Sequence, residues 1–215
     1  MKFVLYIMFS LSMILGEACE QTAQEEGIKE KNTTQELSSY SKAYFASGCF
    51  WCVEAIYESV TGVEEVISGY AGGEQKNPTY DQVAGGRTTH AEAVEVYYDP
   101  DKVSFATLID VFYGSQDPTT VGQSPDFGPQ YRSIIFYSTP EEKEIAEMKK
   151  KAISESGIYK KPIVTEIKEL EKFYKAEAYH QDFEARNPNQ RYIVGVSKPR
   201  LEKFKKRFPG LVSGH

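Results

Sequence analysis

The sequence is poor in cysteine, histidine and positive charge. Its 215 residues include only three cysteines, Cys19, Cys49 and Cys52, which are too few for a disulfide-stapled scaffold. The three histidines are not in paired spacing, so no set of zinc ligands is recognisable. The 25 basic residues are outnumbered by 31 acidic ones, for a net charge of −6, which argues against a nucleic-acid partner. We therefore predict reactive cysteines, no metal and no other cofactor.

Long apolar runs are also scarce, and the clearest one stands at the N-terminus. Residues 3–15 are apolar apart from two serines, and small residues follow just before Cys19, as in a secretory signal peptide. A helix of this run would reach about 20 Å, less than the roughly 30 Å of a bilayer core. We expect residues 1–18 to direct export to the periplasm or cell envelope. Cys19 is a candidate lipid anchor, although Glu17 departs from the usual lipoprotein pattern, and an unmodified cysteine in a tail is the alternative.

The rest of the chain divides into three parts by composition. Residues 19–42 contain mostly Glu, Gln, Lys, Thr and Ser and bury too little to offset the entropy of ordering, so we predict a flexible acidic tether. Residues 43–196 carry enough apolar side chains for one core. Residues 197–215 predict a helix and tail with a basic face, which either packs on the domain or binds a membrane surface.

Strand and helix patterns alternate within the predicted domain. Strands are predicted near residues 43–46, 63–70, 91–98, 134–136 and 163–170, and helices are predicted after Gly48, Ser104 and Thr139. Glycine and proline mark two long loops, at 72–86 and 114–130. The order β-α-β-β-α-β-α-β contains a split βαβ unit. We therefore predict an α/β (α+β) fold, a two-layer ferredoxin-like plait with extended loops.

The strongest chemical signal is the pair of cysteines at the start of the first predicted helix. Free N–H groups and the helix dipole favour an anion there, so we expect a lowered pKa for Cys49, which makes it a candidate nucleophile. Cys52 is one helical turn further on, within reach of a disulfide with Cys49. An inert buried pair and a thioredoxin-type dithiol oxidoreductase are the alternatives at this point.

A run of motifs over about residues 43–195 resembles the peptide methionine sulfoxide reductase A family. In order, the motifs are Gly48-Cys49-Phe50-Trp51, Gly69-Tyr70-Ala71-Gly72-Gly73, Asn77-Pro78-Thr79-Tyr80, Gly86-Arg87-Thr88-Thr89-His90-Ala91-Glu92-Ala93-Val94, Tyr98-Asp99-Pro100, Asp126-Phe127-Gly128-Pro129-Gln130-Tyr131-Arg132-Ser133 and Ala178-Tyr179-His180-Gln181. The resemblance implies reduction of the S epimer of methionine sulfoxide, either free or within proteins.

Glu92 matches the acid of that family. A sulfoxide oxygen leaves readily only when it is protonated, so the reaction requires a proton donor. In the alternating segment 91–98, Glu92 has the same parity as Val94 and Val96 and should point to the apolar face. Burial there should raise its pKa and keep it protonated.

Five further residues receive roles from the resemblance. Tyr70 and Tyr131 match the tyrosines whose hydroxyls hold the sulfoxide oxygen, since phenols donate to developing negative charge. Asp126 matches an acidic residue beside them. Phe50 and Trp51 match an aromatic wall for the substrate methyl group. We expect His90 and His180 to be structural.

The implied cycle uses both cysteines of the motif. Cys49 becomes a sulfenic acid, Cys52 attacks it to form a disulfide, and an external dithiol of the thioredoxin type reduces that disulfide. Many family members have Gly in place of Cys52 and carry recycling cysteines near the C-terminus, whereas residues 53–215 contain none. Recycling must therefore use Cys52, or an external thiol directly. We expect a monomer. A general thiol–disulfide oxidoreductase and a non-catalytic binding domain remain the alternatives.

Overall fold

The computed structural model describes residues 36–212. The predicted signal peptide, Cys19 and most of the predicted tether lie outside these residues. The strands are β1 Ser41–Ala46, β2 Val63–Ala71, β3 Ala91–Tyr98, β4 Gly122–Gln123, β5 Asp126–Phe127, β6 Ile134–Tyr137, β7 Glu166–Glu169 and β8 Phe173–Lys175. The helices are α1 Phe50–Glu58, α2 Tyr80–Ala84, α3 Phe105–Gly114, α4 Pro140–Glu155, α5 Phe183–Arg186 and α6 Lys198–Arg207. Short 3-10 turns occupy Glu36–Ser39, Pro129–Tyr131 and Ala178–His180, and a π-helical turn occupies Ile193–Ser197.

Six strands form one sheet in the order β7-β6-β1-β3-β2-β8. The four central strands have the ferredoxin-like arrangement, in which β3 lies between β1 and β2 and is antiparallel to both. Strand β6 completes this core as the antiparallel neighbour of β1. Two edge strands extend it, because β7 pairs in parallel with β6 and β8 pairs antiparallel with β2. The predicted fold class is confirmed.

Strand β3 is buried along its whole length because it is central and covered on both faces. Val94 and Val96 face the main core between the sheet and the helices. Glu92 shares their parity and is 1% exposed. Glu95 has the opposite parity and accepts hydrogen bonds from Lys42 and Tyr44. The alternation of β3 therefore places one acidic side chain on each face of the sheet.

Two helix starts agree with their sequence signals. The Ser104 side chain accepts a hydrogen bond from the backbone N–H of Thr107 at the start of α3. The Thr139 side chain does the same for the N–H of Glu142 at the start of α4, with Pro140 in the first turn. Each of these side chains satisfies a backbone donor that the first helical turn leaves without a partner.

Both predicted long loops contain regular elements. The first loop includes the short helix α2, which is held by a capping box between Thr79 and Gln82. The second loop folds back on itself as the two-residue strands β4 and β5. Packing against the domain also includes a residue before the predicted boundary at residue 43, because Leu37 is buried against Ile67 and Tyr97. These elements depend on contacts that short sequence windows do not contain.

The C-terminal helix α6 packs on the domain. Phe204 is 1% exposed and belongs to the main core, with Leu201 and Phe208 packed beside it. The basic side chains of Lys206 and Arg207 are exposed. Within residues 36–212, no helix combines the length and apolar character needed to cross a membrane. The apolar face of α6 is therefore already used inside the protein.

Replacement of Phe204 by alanine tests this packing. Phe204→Ala should lower the free energy of unfolding by about 3–5 kcal/mol, because it leaves a cavity in the main core. The matched control Lys206→Ala, in the same helix but exposed, should change it by less than about 0.5 kcal/mol. Urea unfolding of both variants measures the difference, and equal midpoints would show that α6 contributes nothing to the core.

Candidate active site

A tight turn carries the chain from β1 into the cysteine motif. Gly48 has a φ of +88°, a conformation that residues with a side chain adopt rarely. A Cβ atom there would lie 3.0 Å from the Gln123 side chain and 3.3 Å from Arg200. The Gly48 N–H donates to the Tyr131 carbonyl at 3.1 Å. The turn is thus tied to the second loop and delivers Cys49 as the N-cap residue of α1.

The buried acid lies directly at the start of α1. The backbone N–H of Phe50 donates to Glu92 Oε2 at 3.0 Å. This bond favours the ionised carboxyl, but burial opposes it more strongly, and the neighbouring charge of Asp126 adds to the effect of burial. The net result raises the pKa of Glu92 to about 8. The sequence correctly predicted that this carboxyl is buried and protonated at neutral pH.

The two cysteine thiols are both reduced, buried and joined by a hydrogen bond. Burial raises the pKa of Cys49, and the nearby Glu92 carboxyl raises it further. The hydrogen bond from Cys49 lowers the pKa of Cys52 to about 6. The expectation of a lowered pKa for Cys49 is therefore wrong for the substrate-free protein, since desolvation outweighs the helix terminus. When the pair loses its first proton, the negative charge is instead on Cys52.

The Tyr70 hydroxyl, predicted to hold the sulfoxide oxygen, has a carboxylate partner in the structure. Its hydroxyl donates to Glu177 Oε2 at 2.7 Å. The other oxygen of that carboxylate accepts the backbone N–H of Tyr80 at 3.0 Å. Tyr70 therefore fixes the start of α2 through Glu177.

Tyr80 is a new candidate for the role that was predicted for Tyr70. Burial, followed by the charge of Glu92, raises the pKa of Tyr80 to about 12. Burial and the same charge also raise the pKa of Tyr131. Cys49 and Asp126 contribute to both shifts. These two phenols stay protonated and stand beside the acid and the thiol.

A further tyrosine from the C-terminal part of the chain joins the site. Tyr192 donates a short hydrogen bond of 2.5 Å to Asp126 Oδ2. Its hydroxyl also lies 3.6 Å from Cys52 Sγ. Sequence reasoning missed Tyr192 because it lies far along the chain and outside the motifs that carried the resemblance.

The two predicted wall aromatics differ in their surroundings. Phe50 is 1% exposed and packs against Tyr80 and His180. Trp51 is half-buried and stacks on Phe183 with ring centroids 3.7 Å apart. Its Nε1 donates to His180 Nδ1 at 3.1 Å. Trp51 is thus the open aromatic face, and His180 is structural as expected.

His90 also has a structural role. Its Nδ1 accepts from the Gly73 N–H at 3.1 Å, and its Nε2 lies 2.8 Å from the Gln75 carbonyl. Within residues 36–212, the one group of three possible metal ligands consists of the carboxylates of Glu54, Glu58 and Asp182. That group includes neither cysteine and neither of these histidines.

Comparison with known proteins agrees with this geometry. The family model described as peptide methionine sulfoxide reductase matches residues 41–210. The chain belongs to this family. Peptide methionine sulfoxide reductase MsrA 1 of Rhodopirellula baltica is 49% identical over 173 residues, which cover 80% of this chain and 89% of that protein. MsrA of Nautilia profundicola is 48% identical, covering 77% of this chain and 94% of that protein.

Solved structures show the same relationship. Methionine sulfoxide reductase A of Corynebacterium diphtheriae has a TM-score of 0.62 and 35% identity, covering 70% of this chain and 76% of that one. Reduced Mxr1 from Saccharomyces cerevisiae has a TM-score of 0.64 and 33% identity, covering 71% of this chain and 88% of that one. The fold of this reductase is therefore shared across widely separated organisms.

The two tyrosines can be told apart by mutation. Tyr80→Phe should lower kcat/KM of the reductase by about 10²-fold, because it removes a donor to the substrate oxygen. Tyr70→Phe should change kcat/KM much less but lower the free energy of unfolding by about 1.5–3 kcal/mol, since a carboxylate loses a hydrogen bond. Steady-state kinetics and urea unfolding of both variants provide the comparison. A greater loss of activity in Tyr70→Phe would contradict this assignment.

Proposed function

We propose that this protein reduces the S epimer of methionine sulfoxide, free or within proteins, to methionine. The observation that carries the proposal is the neutral Glu92 carboxyl, which is buried at the amino end of α1 beside the Cys49 and Cys52 pair. A nucleophile and an acid in one dry site are what sulfoxide reduction requires. Family membership supports both the reaction and the choice of epimer.

The first step joins the Cys49 sulfur to the substrate. The thiol of Cys49 passes its proton to the Cys52 thiolate through their hydrogen bond and attacks the sulfoxide. Glu92 protonates the departing oxygen, while the phenols of Tyr80 and Tyr131 donate to it. Methionine leaves and Cys49 holds the oxygen as a sulfenic acid.

The substrate methyl group fits the aromatic side of the site. Trp51 presents a half-buried ring that Phe183 and His180 hold in place. Methyl and sulfur groups pack favourably on aromatic faces. Phe50 supports this wall from beneath, because it is buried against Tyr80 and His180.

Exposure of the sulfurs favours this reaction over general thiol–disulfide exchange. Cys49 is 7% exposed and Cys52 is 1% exposed. An enzyme that exchanges disulfides with folded proteins must present its attacking sulfur to another sulfur held on a protein surface. A methionine sulfoxide side chain is slender and can enter a narrow site, so it suits these buried thiols better.

The second step regenerates the thiols. Cys52 attacks the sulfenic acid on Cys49, water leaves, and a disulfide closes across one turn of α1. A thioredoxin-like protein is the proposed reductant of this disulfide, and its thiol would attack Cys49, which is the more exposed of the two cysteines. Turnover coupled to thioredoxin and its reductase, with each sulfoxide epimer in turn, tests both the epimer and the reductant.

Cysteine variants separate the two steps. Cys49→Ser should release no methionine. Cys52→Ser should release about one methionine per protein molecule and leave a sulfenic acid that a dimedone probe traps. Cys19→Ser is the matched control and should retain full turnover. Sustained thioredoxin-dependent turnover by Cys52→Ser would remove Cys52 from the cycle.

The pH dependence of methionine release follows from the two pKa shifts. The rate should rise as the thiol pair ionises near pH 6 and fall above about pH 8 as Glu92 loses its proton. Glu92→Gln should lower the rate by about 10²–10⁴-fold and abolish the falling limb. Glu95→Gln, altered on the opposite face of the same strand, should keep both limbs. An unchanged falling limb in Glu92→Gln would exclude Glu92 as the acid.

We further propose that the mature protein is exported and anchored by a lipid on Cys19. The apolar N-terminal run and the cysteine after its small-residue site support this proposal. Intact-mass measurement of protein extracted from membranes tests it. An acyl group that disappears in Cys19→Ser is expected, and an unmodified, membrane-free protein would contradict it.

A further inference from the structure

Two hydroxyl groups lie beside the second cysteine. Cys52 Sγ lies 3.6 Å from the Tyr192 hydroxyl and within hydrogen-bond reach of the Ser197 hydroxyl. Tyr192 donates its proton to Asp126 Oδ2 at 2.5 Å, and Ser197 donates its proton to Glu184. Each hydroxyl carries a single proton. When Cys52 is a thiolate, either hydroxyl can turn its proton toward the sulfur and lower the pKa of Cys52. When Cys52 is protonated, each hydroxyl can keep its bond to the carboxylate and accept from the thiol.

A local change in helix geometry brings these groups together. Residues Ile193–Ser197 form a π-helical turn, in which the hydrogen bonds join residues five apart rather than four. Tyr192 and Ser197 are five residues apart and both reach Cys52. Such turns are frequent at functional sites. The positive charge of Arg200, held by the Ser47 and Ser115 carbonyls, also favours a thiolate at Cys52.

The second step of the cycle creates a need for a base at this position. In the reduced protein, the hydrogen bond from Cys49 is the main cause that keeps the pKa of Cys52 low. Once Cys49 is a sulfenic acid, that S–H donor is gone and Cys52 holds the proton that it took from Cys49. Cys52 is buried, so bulk water cannot readily take this proton away.

We propose that Tyr192 and Asp126 form a proton relay that activates Cys52 for its attack on the sulfenic acid. This inference rests on the proposed function. The Cys52 proton passes to the Tyr192 oxygen while the Tyr192 proton passes to the Asp126 carboxylate. Tyr192 is the catalytic residue, because its hydroxyl lies 3.6 Å from the Cys52 sulfur, and Asp126 acts through it.

Atoms and electrons balance in this step. The bond between the Cys49 and Cys52 sulfurs forms as the S–O bond of the sulfenic acid breaks. The Cys52 sulfur is oxidised, the Cys49 sulfur is reduced, and the hydroxyl group departs. The proton held on Asp126 converts the departing hydroxide to water, so no net proton is consumed. The proton returns from Asp126 through the Tyr192 hydroxyl, which bonds Asp126 and lies beside the cysteine pair.

Disulfide closure can be measured without methionine sulfoxide. Hydrogen peroxide oxidises a reactive thiolate to a sulfenic acid, which the second cysteine then resolves. Rapid mixing of the reduced full-length protein with peroxide, followed by an acid quench and mass spectrometry, gives the amounts of sulfenic acid and disulfide over time. The rate of closure is thereby separated from the rate of oxidation. A parallel series with methionine sulfoxide gives the same closure rate in the proposed reaction.

Conservative variants should slow disulfide closure while keeping the packing around Cys52. Tyr192→Phe keeps the ring beside Trp51 and Asp126→Asn keeps an acceptor for Tyr192, so both should fold with normal unfolding midpoints. Each should slow closure by about 10²-fold, as for other positioned proton acceptors. The double variant should be no slower than either one, since the two groups act as a unit. Tyr179→Phe, which removes the hydroxyl of a 55% exposed tyrosine, is the matched control and should close at the normal rate.

A solvent isotope effect distinguishes proton transfer from packing. Closure in the unaltered protein should be slower in D₂O than in H₂O, and this difference should shrink in Tyr192→Phe. Normal closure rates in Tyr192→Phe or Asp126→Asn would overturn the relay. A closure rate in the double variant that is reduced by the product of the two single reductions would also overturn it. Slow closure in Ser197→Ala together with normal closure in Tyr192→Phe would also overturn it. Failure to release methionine, with closure after peroxide still dependent on Tyr192, would refute the proposed function and leave the relay standing.

Discussion

Burial of the Glu92 carboxyl at the amino end of α1 is the constraint on which the rest of the site depends. The Phe50 N–H stabilises the anion, whereas the surrounding core and the charge of Asp126 stabilise the acid. Burial is the larger effect, so the carboxyl keeps its proton near neutral pH. The same burial raises the pKa of Cys49 and moves the first negative charge of the thiol pair to Cys52. One dry environment thus sets the protonation of three groups.

The fold supplies that environment from distant parts of the chain. Strand β3 carries Glu92 at the centre of the sheet, and the turn at Gly48 brings the start of α1 against it. The second loop contributes Asp126 and Tyr131, and the C-terminal region contributes Tyr192. The site is complete only when these segments pack together, so its chemistry depends on the tertiary structure.

The sequence predicted the features that local patterns determine. Alternation along β3 placed Glu92 on the core face, and the glycine before Cys49 marked the turn into α1. Tyr70 and Tyr80 could not be separated in this way, because both are tyrosines in family motifs. Only the structure shows that the Tyr70 hydroxyl bonds Glu177. The sequence did not predict Tyr192, because its contacts with Cys52 and Asp126 join residues that are 140 and 66 positions apart. The expectation of a lowered pKa for Cys49 considered the helix terminus but not the cost of burial. Composition alone does not show how deeply a particular thiol is buried.

Direct titration of the Glu92 carboxyl is the measurement closest to the centre of this account. The protein labelled with ¹³C at glutamate carboxyl groups, compared with labelled Glu92→Gln, identifies the Glu92 resonance by its absence. The account predicts that this resonance titrates with a midpoint of about 8. A midpoint near the ordinary glutamate value of about 4.3 would contradict it, because the site would then hold no neutral acid at neutral pH.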